Sequence, residues 1–384
     1  MRVLHVIDGI GVGGAEMVLI QLLEGLQGRG VQNVVLCLTS AGVLRDRIIA
    51  SGAELVEMNI ASGRLPLLRL PRLVWAVRAA RADVIQGWMY HGNFAATVLR
   101  AMAFLPSPML WSIHNTLKPE PSFPAVTRLA FRMGRLLSQR PRFVIHVSRA
   151  AAEQHIEAGY CAVNTVIIAN GTDCAKFRPS AVLRQEVRDE LGLGSDCFVI
   201  GCLARWAEMK GHANLVQAVA ALRANGKPVH LLLAGTRMEA ANPELMALLA
   251  GAGLTEHCSC LGERRDAERI MASLDTLVLP SIHGEAFPMV LGEAMACEVP
   301  CLATDVGDSA LLLGDAGIVV PPMDVPALTQ GLERLLQMTP AARAALGAAA
   351  RARVGDLFSI DSMVSAYLDL YRAAETVPAS RKMG

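Results

Sequence analysis

Two cations, Arg205 and Lys210, and two carboxylates eight positions apart, Glu285 and Glu293, have the types and spacing best suited to chemistry in this chain of 384 residues. Arginine offers a planar fork and lysine a point charge, and both suit a diphosphate. Carboxylates accept hydrogen bonds from sugar hydroxyls. Together the four suit a phosphorylated sugar, the cations for its phosphates and the carboxylates for its hydroxyls.

The elements around them are arranged for that task. Residues 274–279 form an apolar run broken only by Asp275 and Thr276, so a strand is expected there. It ends at Pro280-Ser281, and a loop carries Glu285 to Pro288. A helix should begin at Pro288, where the fixed φ suits a first turn. Val290, Leu291, Ala294 and Met295 then recur at helical spacing and bury one face. A second strand, residues 301–304, ends in Asp305. Free N–H groups at the helix start, from Phe287 to Met289, attract phosphate. Glu285 ahead of that start and Glu293 within the helix bracket a phosphorylated sugar. Upstream, the strand 198–203 leads through Arg205 and Lys210 into a helix from about His212.

The first half repeats the pattern. Strand 3–7 is followed by Gly11, Gly13 and Gly14 and a helix from 15 to about 26; glycines at the carboxyl end of a strand let backbone approach a ligand. The spacing is not that of a dinucleotide fingerprint. Further strands are expected at 34–38, 54–58, 84–86, 109–113 and 143–147, which implies parallel sheets covered on both faces. Segment 87–93 concentrates Trp88, Tyr90, His91 and Asn93, a surface for stacking on and hydrogen bonding a sugar ring. His114-Asn115 follows the fifth strand.

EAFPMVLGEAMA, residues 285–296, resembles the E-x7-E signature of retaining GT-B glycosyltransferases, glycosyltransferase family 4. Gly13 to Glu16, GGAE, resembles that family's first loop. Arg205-x4-Lys210 resembles its second signature, and Asn170-Gly171-Thr172-Asp173 with Phe177 and Pro179 resembles its interdomain connection. The resemblance implies an α/β fold of GT-B type, two Rossmann-like doubly wound domains facing across a cleft. Residues 1–170 would form the acceptor-side domain and 171–358 the nucleotide-sugar domain; 359–384 would hold a helix crossing back to the first, with a frayed tail. It further implies transfer with retention, without a metal or other cofactor, in surface polysaccharide assembly. The donor would be a nucleotide sugar, preferably a UDP-sugar, and the acceptor a saccharide or polyprenyl-linked saccharide.

On this resemblance Glu285, His114, Lys210 and Arg205 are the catalytic candidates. Gly13, Gly14, Gly235, Leu261, Phe287, Pro288, Met289 and Glu293 join Arg205, Lys210 and Glu285 in donor binding. Glu16, Trp88, Tyr90 and His91 would face the acceptor. The chain departs from the family pattern at Glu298, where relatives end the helix with glycine, and at Asp308, where a helix N-cap is the expected role.

Composition bounds these readings. Hydrophobic content of 53% with 18% charged residues describes compact globular domains and excludes disorder. Through Asn170, 17 Lys+Arg stand against 10 Asp+Glu, and the remainder has 19 against 25, so the first half meets anionic surfaces. Arg64, Arg69, Arg72, Arg78 and Arg81 cluster in one region. Arg128, Arg132 and Arg135 share a helical face beside an apolar stripe, Val126, Leu129, Met133 and Leu136, which suits anionic lipid or an ordinary solvated Arg face over a buried stripe. No nucleic-acid module is visible. Nine scattered cysteines without zinc spacing imply reduced thiols. The expected location is the cytoplasm, with a peripheral contact at the inner face of the plasma membrane. Two other functions fit the frame, a nucleotide-sugar 2-epimerase and a non-catalytic sugar-nucleotide scaffold. The epimerase needs acid/base carboxylates in the first domain, and none is evident in the sequence.

Overall fold

A computed structural model of the chain describes residues 1–11, 13–60, 67–117, 122–194 and 196–376. Val12, Arg64 and the tail from 377 onward lie outside the described residues. The chain divides into two compact units, Met1–Gly171 with Ile360–Gly384, and Thr172–Ser359.

In the first unit the elements run β1 (Arg2–Ile7), α1 (Gly14–Leu26), β2 (Gln32–Cys37), α2 (Arg45–Ala50), β3 (Glu54–Glu57), α3 (Leu70–Ala79) and β4 (Val84–Trp88). They continue with α4 (Met89–Met102), β5 (Met109–Ile113), α5 (Ala125–Leu137), β6 (Phe143–His146), α6 (Arg149–Glu157) and β7 (Thr165–Ile167). The second unit holds α7 (Ala181–Glu190), β8 (Phe198–Leu203), α8 (His212–Ala224), β9 (Val229–Ala234), α9 (Pro243–Gly251), β10 (Cys258–Cys260) and α10 (Ala267–Ser273). Then follow β11 (Thr276–Leu279), α11 (Met289–Ala296), β12 (Cys301–Thr304), α12 (Ser309–Leu313), β13 (Ile318–Val320), α13 (Val325–Gln337) and α14 (Pro340–Leu357). The last helix, α15 (Ile360–Thr376), belongs to the first unit.

Both sheets are parallel, in the orders β3-β2-β1-β4-β5-β6-β7 and β10-β9-β8-β11-β12-β13. Their central strands are continuous apolar runs because helices cover both faces and leave no solvent side. On one face of the first sheet Val18, Leu22, Ile48, Val364, Tyr367 and Tyr371 pack together, which seats α1, α2 and α15 there. α3, α4 and α5 cover the other face through Leu73, Val77, Ala96, Leu99, Ala130 and Phe131. In each sheet the chain starts centrally, winds to one edge and returns, so the order reverses between β1 and β4 and between β8 and β11. Open α/β sheets bind ligands outside the carboxyl ends of strands at such a reversal.

Three local features differ from the expectations. β7 and β13 are three-residue strands at sheet edges, too short to leave an apolar run. Gly87 and Trp88 are strand, not loop, and α4 starts immediately at Met89, which makes the turn with φ 59°. Pro288 is the residue before α11, and the helix itself begins at Met289.

Glu298 follows α11 with φ 58°, in the left-handed region that favours glycine. Gly347 of α14 packs on its backbone, where an added Cβ would lie 2.0 Å from the Glu298 carbonyl oxygen. That contact fixes the turn whatever side chain stands at 298. Glu298→Gly is therefore expected to raise stability by about 0.5–1 kcal/mol, read as an increase in urea midpoint at constant m-value; an unchanged or lowered midpoint refutes it.

Candidate functional site

In the second unit the loops after β8 and β11 are neighbours because their strands pair. Gly211, with φ 66°, lets the first loop press onto the second, and a Cβ there would lie 1.9 Å from the Pro280 carbonyl oxygen. The backbone N–H of Ile282 donates to Met209 at 2.8 Å and locks the two together. His212, at the start of α8, bonds through Nε2 to the Arg205 carbonyl at 3.1 Å and stacks on Trp206. Burial lowers its pKa to about 4, partly offset by that hydrogen bond, so it holds the loop as a neutral ring.

The two loops bring Lys210 and Glu285 into contact. Lys210 Nζ lies 2.6 Å from Glu285 Oε1, and the Ser281 hydroxyl donates to the same oxygen at 2.5 Å. Both side chains are largely buried. The loop after β12 closes over this one: Gly307, with φ 62°, leaves no room for a Cβ, which would lie 2.4 Å from the Glu285 carbonyl oxygen. Asp308 N–H donates to Ala286 O at 3.1 Å. The Asp308 side chain makes no capping bond to α12, although the residue stands at the N-cap position. Phe287 is buried against Phe358, so only its backbone can serve a ligand. The first N–H groups of α11 follow at Met289 and Val290, where helix geometry leaves them without intrahelical acceptors.

Arg205 is exposed, and its guanidinium contacts the Met209 sulfur at 3.7 Å. Glu293 has different neighbours from Glu285. It lies near Lys176 and Glu268, which pair with each other at 3.4 Å. Burial raises its carboxyl to about 7, against the pull of Lys176 and with the support of Glu268. Gly235, φ 138°, packs against the Ala204 backbone at the end of β9, and Leu261 follows β10.

The first unit holds a cavity of about 480 Å³ beside the carboxyl ends of β1 and β4. Asp8, Gly9, Glu16, Thr39, Ser40 and His91 contribute to its wall. His91 Nδ1 lies 3.1 Å from Asp8 Oδ2. The Glu16 carboxylate folds back over Gly13, while Gly14 faces open space.

Trp88 and Tyr90 do not offer the stacking surface expected of them. Trp88 is fully buried, donating its indole N–H to His5 Nδ1 at 3.2 Å. Tyr90 lies in an aromatic cluster with Phe123 and Phe131, and its hydroxyl meets His155 Nε2 at 2.8 Å. The reason is the strand–helix junction: with no loop between β4 and α4, these side chains turn into the core. His114 stacks on Trp88 with ring centroids 5.1 Å apart, and burial lowers its pKa to about 4, partly offset by Asn170.

Asp8, Ser281 and Gly211 were not singled out by sequence reasoning. Asp8 directly follows a strand ahead of the glycines, which was signal enough. Ser281 and Gly211 act through contacts that no spacing reveals.

Residues 12–176 match Glycosyltransferase Family 4, and residues 197–338 match Glycosyl transferases group 1. The chain is 26% identical over 295 residues to D-inositol 3-phosphate glycosyltransferase of Mycobacterium marinum, an alignment covering 75% of the chain but only 61% of that relative. It is 28% identical over 337 residues to phosphatidyl-myo-inositol mannosyltransferase of Mycobacterium leprae, covering 85% and 84%. Among solved structures it resembles Anabaena HepE in complex with UDP, with TM-score 0.83, 22% identity and coverage of 97% and 100%. The fold is of the GT-B type, and the chain belongs to the family 4, group 1 glycosyl transferases.

Proposed function

We propose that this protein transfers a hexose, with retention and without a metal, from a nucleotide sugar to a saccharide or polyprenyl-linked saccharide in surface polysaccharide assembly. One observation carries the reading: the Lys210–Glu285–Ser281 group stands at the β8/β11 reversal beside the N-terminus of α11. There a cation and free N–H groups can stabilise a departing diphosphate, the place where negative charge grows in the transition state. Arg205 adds a second cation. Glu285, oriented by Ser281, holds sugar hydroxyls and supports positive character at the anomeric carbon. Glu293 binds ribose hydroxyls, and the backbone at Gly235 and Leu261 holds the base. UDP is favoured because HepE was solved with it.

The acceptor belongs to the first unit. Glu16, His91 and Asp8 supply hydrogen-bonding groups around the 480 Å³ cavity, and Gly13 and Gly14 permit close approach. His114 contacts the transferred sugar as a neutral ring. In this reading residues 1–170 form the acceptor domain, 171–358 the donor domain, and 359–384 the returning helix and tail. A lipid-linked acceptor places the enzyme at the cytoplasmic side of a membrane, where Arg128, Arg132 and Arg135 meet anionic headgroups. The nine free thiols suit a reducing compartment, and among the described residues no helix is long and apolar enough to cross a membrane.

Thermal-shift titration with UDP-, GDP- and ADP-sugars is expected to show stabilisation by one nucleotide class, with Lys210→Ala abolishing it. Indifference to all three ends the proposal. Asp8 and Glu16 are carboxylates of the kind a nucleotide-sugar 2-epimerase would need in this unit. Incubating the donor alone in D2O separates the readings, since only an epimerase exchanges the proton at C2.

A further inference from the structure

We propose that Cys258 and Cys260 form a paired-thiol modification site, closed to an intrachain disulfide by exchange with a low-molecular-weight disulfide, and that closure weakens donor binding. The effect on the donor rests on the reading in which backbone at Gly235 and Leu261 holds the base. The thiol site itself stands without it.

Both residues lie in β10, where the register sets Cys258 beside Leu231 and Cys260 beside Leu233. Positions two apart on a strand share a face, so both sulfurs point to one side, at the margin of the core that holds Leu231, Leu233, Leu245 and Leu249. They touch there, Sγ to Sγ at 3.8 Å. Both are half-buried, whereas Cys37, Cys202, Cys297 and Cys301 are buried. Ser259, between them, points to the other face and meets His230 Nε2 at 2.9 Å. The hydrogen bond between the sulfurs makes the pair unequal: it lowers the Cys260 thiol against the effect of burial, and raises Cys258, with burial adding to it. Cys260 is therefore the attacking thiolate and Cys258 the resolving thiol.

The exchange balances with the small disulfide, RSSR, as the oxidant. The Cys260 thiolate attacks one of its sulfurs, forms Cys260–S–S–R and expels RS⁻. Cys258 gives up its proton, attacks Cys260 Sγ and expels the second RS⁻. The two expelled thiolates take up the two thiol protons, so the pair loses two electrons and RSSR gains them.

β10 is an edge strand, with β9 on its inner side. A strand rises about 3.3 Å per residue, which holds the two Cα atoms about 6.6 Å apart, at the long end of the span that a disulfide bridges. Closure therefore draws the strand in at Cys260. The residues that follow carry the movement to the neighbouring loops. Leu261 N–H donates to Leu233 O at 2.9 Å, Gly262 N–H to Met238 O at 2.9 Å, and Gly235 N–H to Gly262 O at 2.7 Å. Gly235 in turn presses on the loop after β8: a Cβ there would lie 2.3 Å from the Ala204 carbonyl oxygen and 3.1 Å from Arg205 N. A shift at Cys260 thus reaches both the base-holding backbone and the loop that carries Arg205.

The test treats the full chain with oxidised glutathione and reads it by intact mass and peptide mapping. Loss of two hydrogens, mapped to Cys258 and Cys260 and reversed by dithiothreitol, is expected. Cys258→Ser should instead trap one glutathione on Cys260, and Cys260→Ser should slow adduct formation at Cys258 about tenfold. Closure should weaken UDP binding about tenfold by titration calorimetry. The variant with both cysteines replaced by serine should bind UDP as the reduced protein does, with or without oxidised glutathione. A disulfide between other cysteines, adducts at the pair without ring closure, or closure that leaves UDP affinity unchanged overturns the proposal. A protein that closes the ring but binds no nucleotide when reduced supports the thiol site and refutes the donor reading, so the two failures are distinguishable.

Discussion

Glu285→Gln is expected to lower turnover by about two to three orders of magnitude, with a much smaller change in donor affinity. The substitution keeps the shape of the side chain and its contact with the Ser281 hydroxyl, and removes only the charge that faces Lys210 at 2.6 Å. If that charge supports the anomeric carbon as the diphosphate leaves, kcat falls and KM moves little. Truncations at this pair have a second consequence. Lys210 and Glu285 are largely buried, with side-chain exposures of 18% and 10%. Deleting one partner strands the other charge, at a cost of about 3–5 kcal/mol. Lys210→Ala is therefore expected to lose both stability and turnover. Lys210→Met combined with Glu285→Gln should recover most of the stability and none of the activity. Measuring kcat, KM and urea midpoints across these variants separates the roles. An activity loss that tracks stability alone, and returns in the double variant, would make the pair purely structural.

The contrast between what was legible and what was not follows from physics. Apolar runs such as residues 109–113 announce buried parallel strands because both sheet faces are covered, and the turn at Asn170 to Asp173 marks where one sheet gives way to the next. The spacing of Lys210 and Glu285 placed each on a strand-to-helix loop, and pairing of β8 with β11 then brings those loops together. Contact was beyond the sequence because it depends on Gly211 and Pro280 meeting, a packing event between distant segments. Trp88 and Tyr90 were misread for a related reason: aromatic, histidine and asparagine side chains suit a sugar-binding loop and a strand–helix junction equally. Only the positive φ of Met89 shows that no loop intervenes. On α5 the sequence displays two faces at helical spacing, but not which one the sheet receives.

Acid should destabilise the first unit at a pH where its histidines, and not yet its carboxylates, take up protons. Four of its five histidines are desolvated by the fold: burial lowers His5 and His114 to about 4 and His146 to about 3, and lowers His155 as well. His146 has no hydrogen-bond partner for either ring nitrogen among the described residues, and lies 5.2 Å, ring to ring, from His155. A histidine with a folded pKa below its unfolded value of about 6.5 costs nothing above pH 6.5, where both states are neutral. Below it the unfolded chain takes up the proton first, and stability falls by about 1.4 kcal/mol per pH unit for each such group until the folded pKa is reached. His5 and His146, both fully buried, together remove about 4 kcal/mol between pH 6.5 and 5. Glu293 acts in the opposite sense, since its raised carboxyl gains a proton on folding and favours the folded second unit as pH falls from about 7. The readout must therefore distinguish the units. Trp88 and Trp111 report on the first, and Trp206→Phe silences the second. Urea titrations of that variant at pH 7.5, 6.5, 5.5 and 5.0 should show a falling midpoint, and His146→Leu should return about 2 kcal/mol at pH 5. A midpoint that stays level between pH 6.5 and 5, or a slope untouched by His146→Leu, would show that these rings acquire protons in the folded core without penalty.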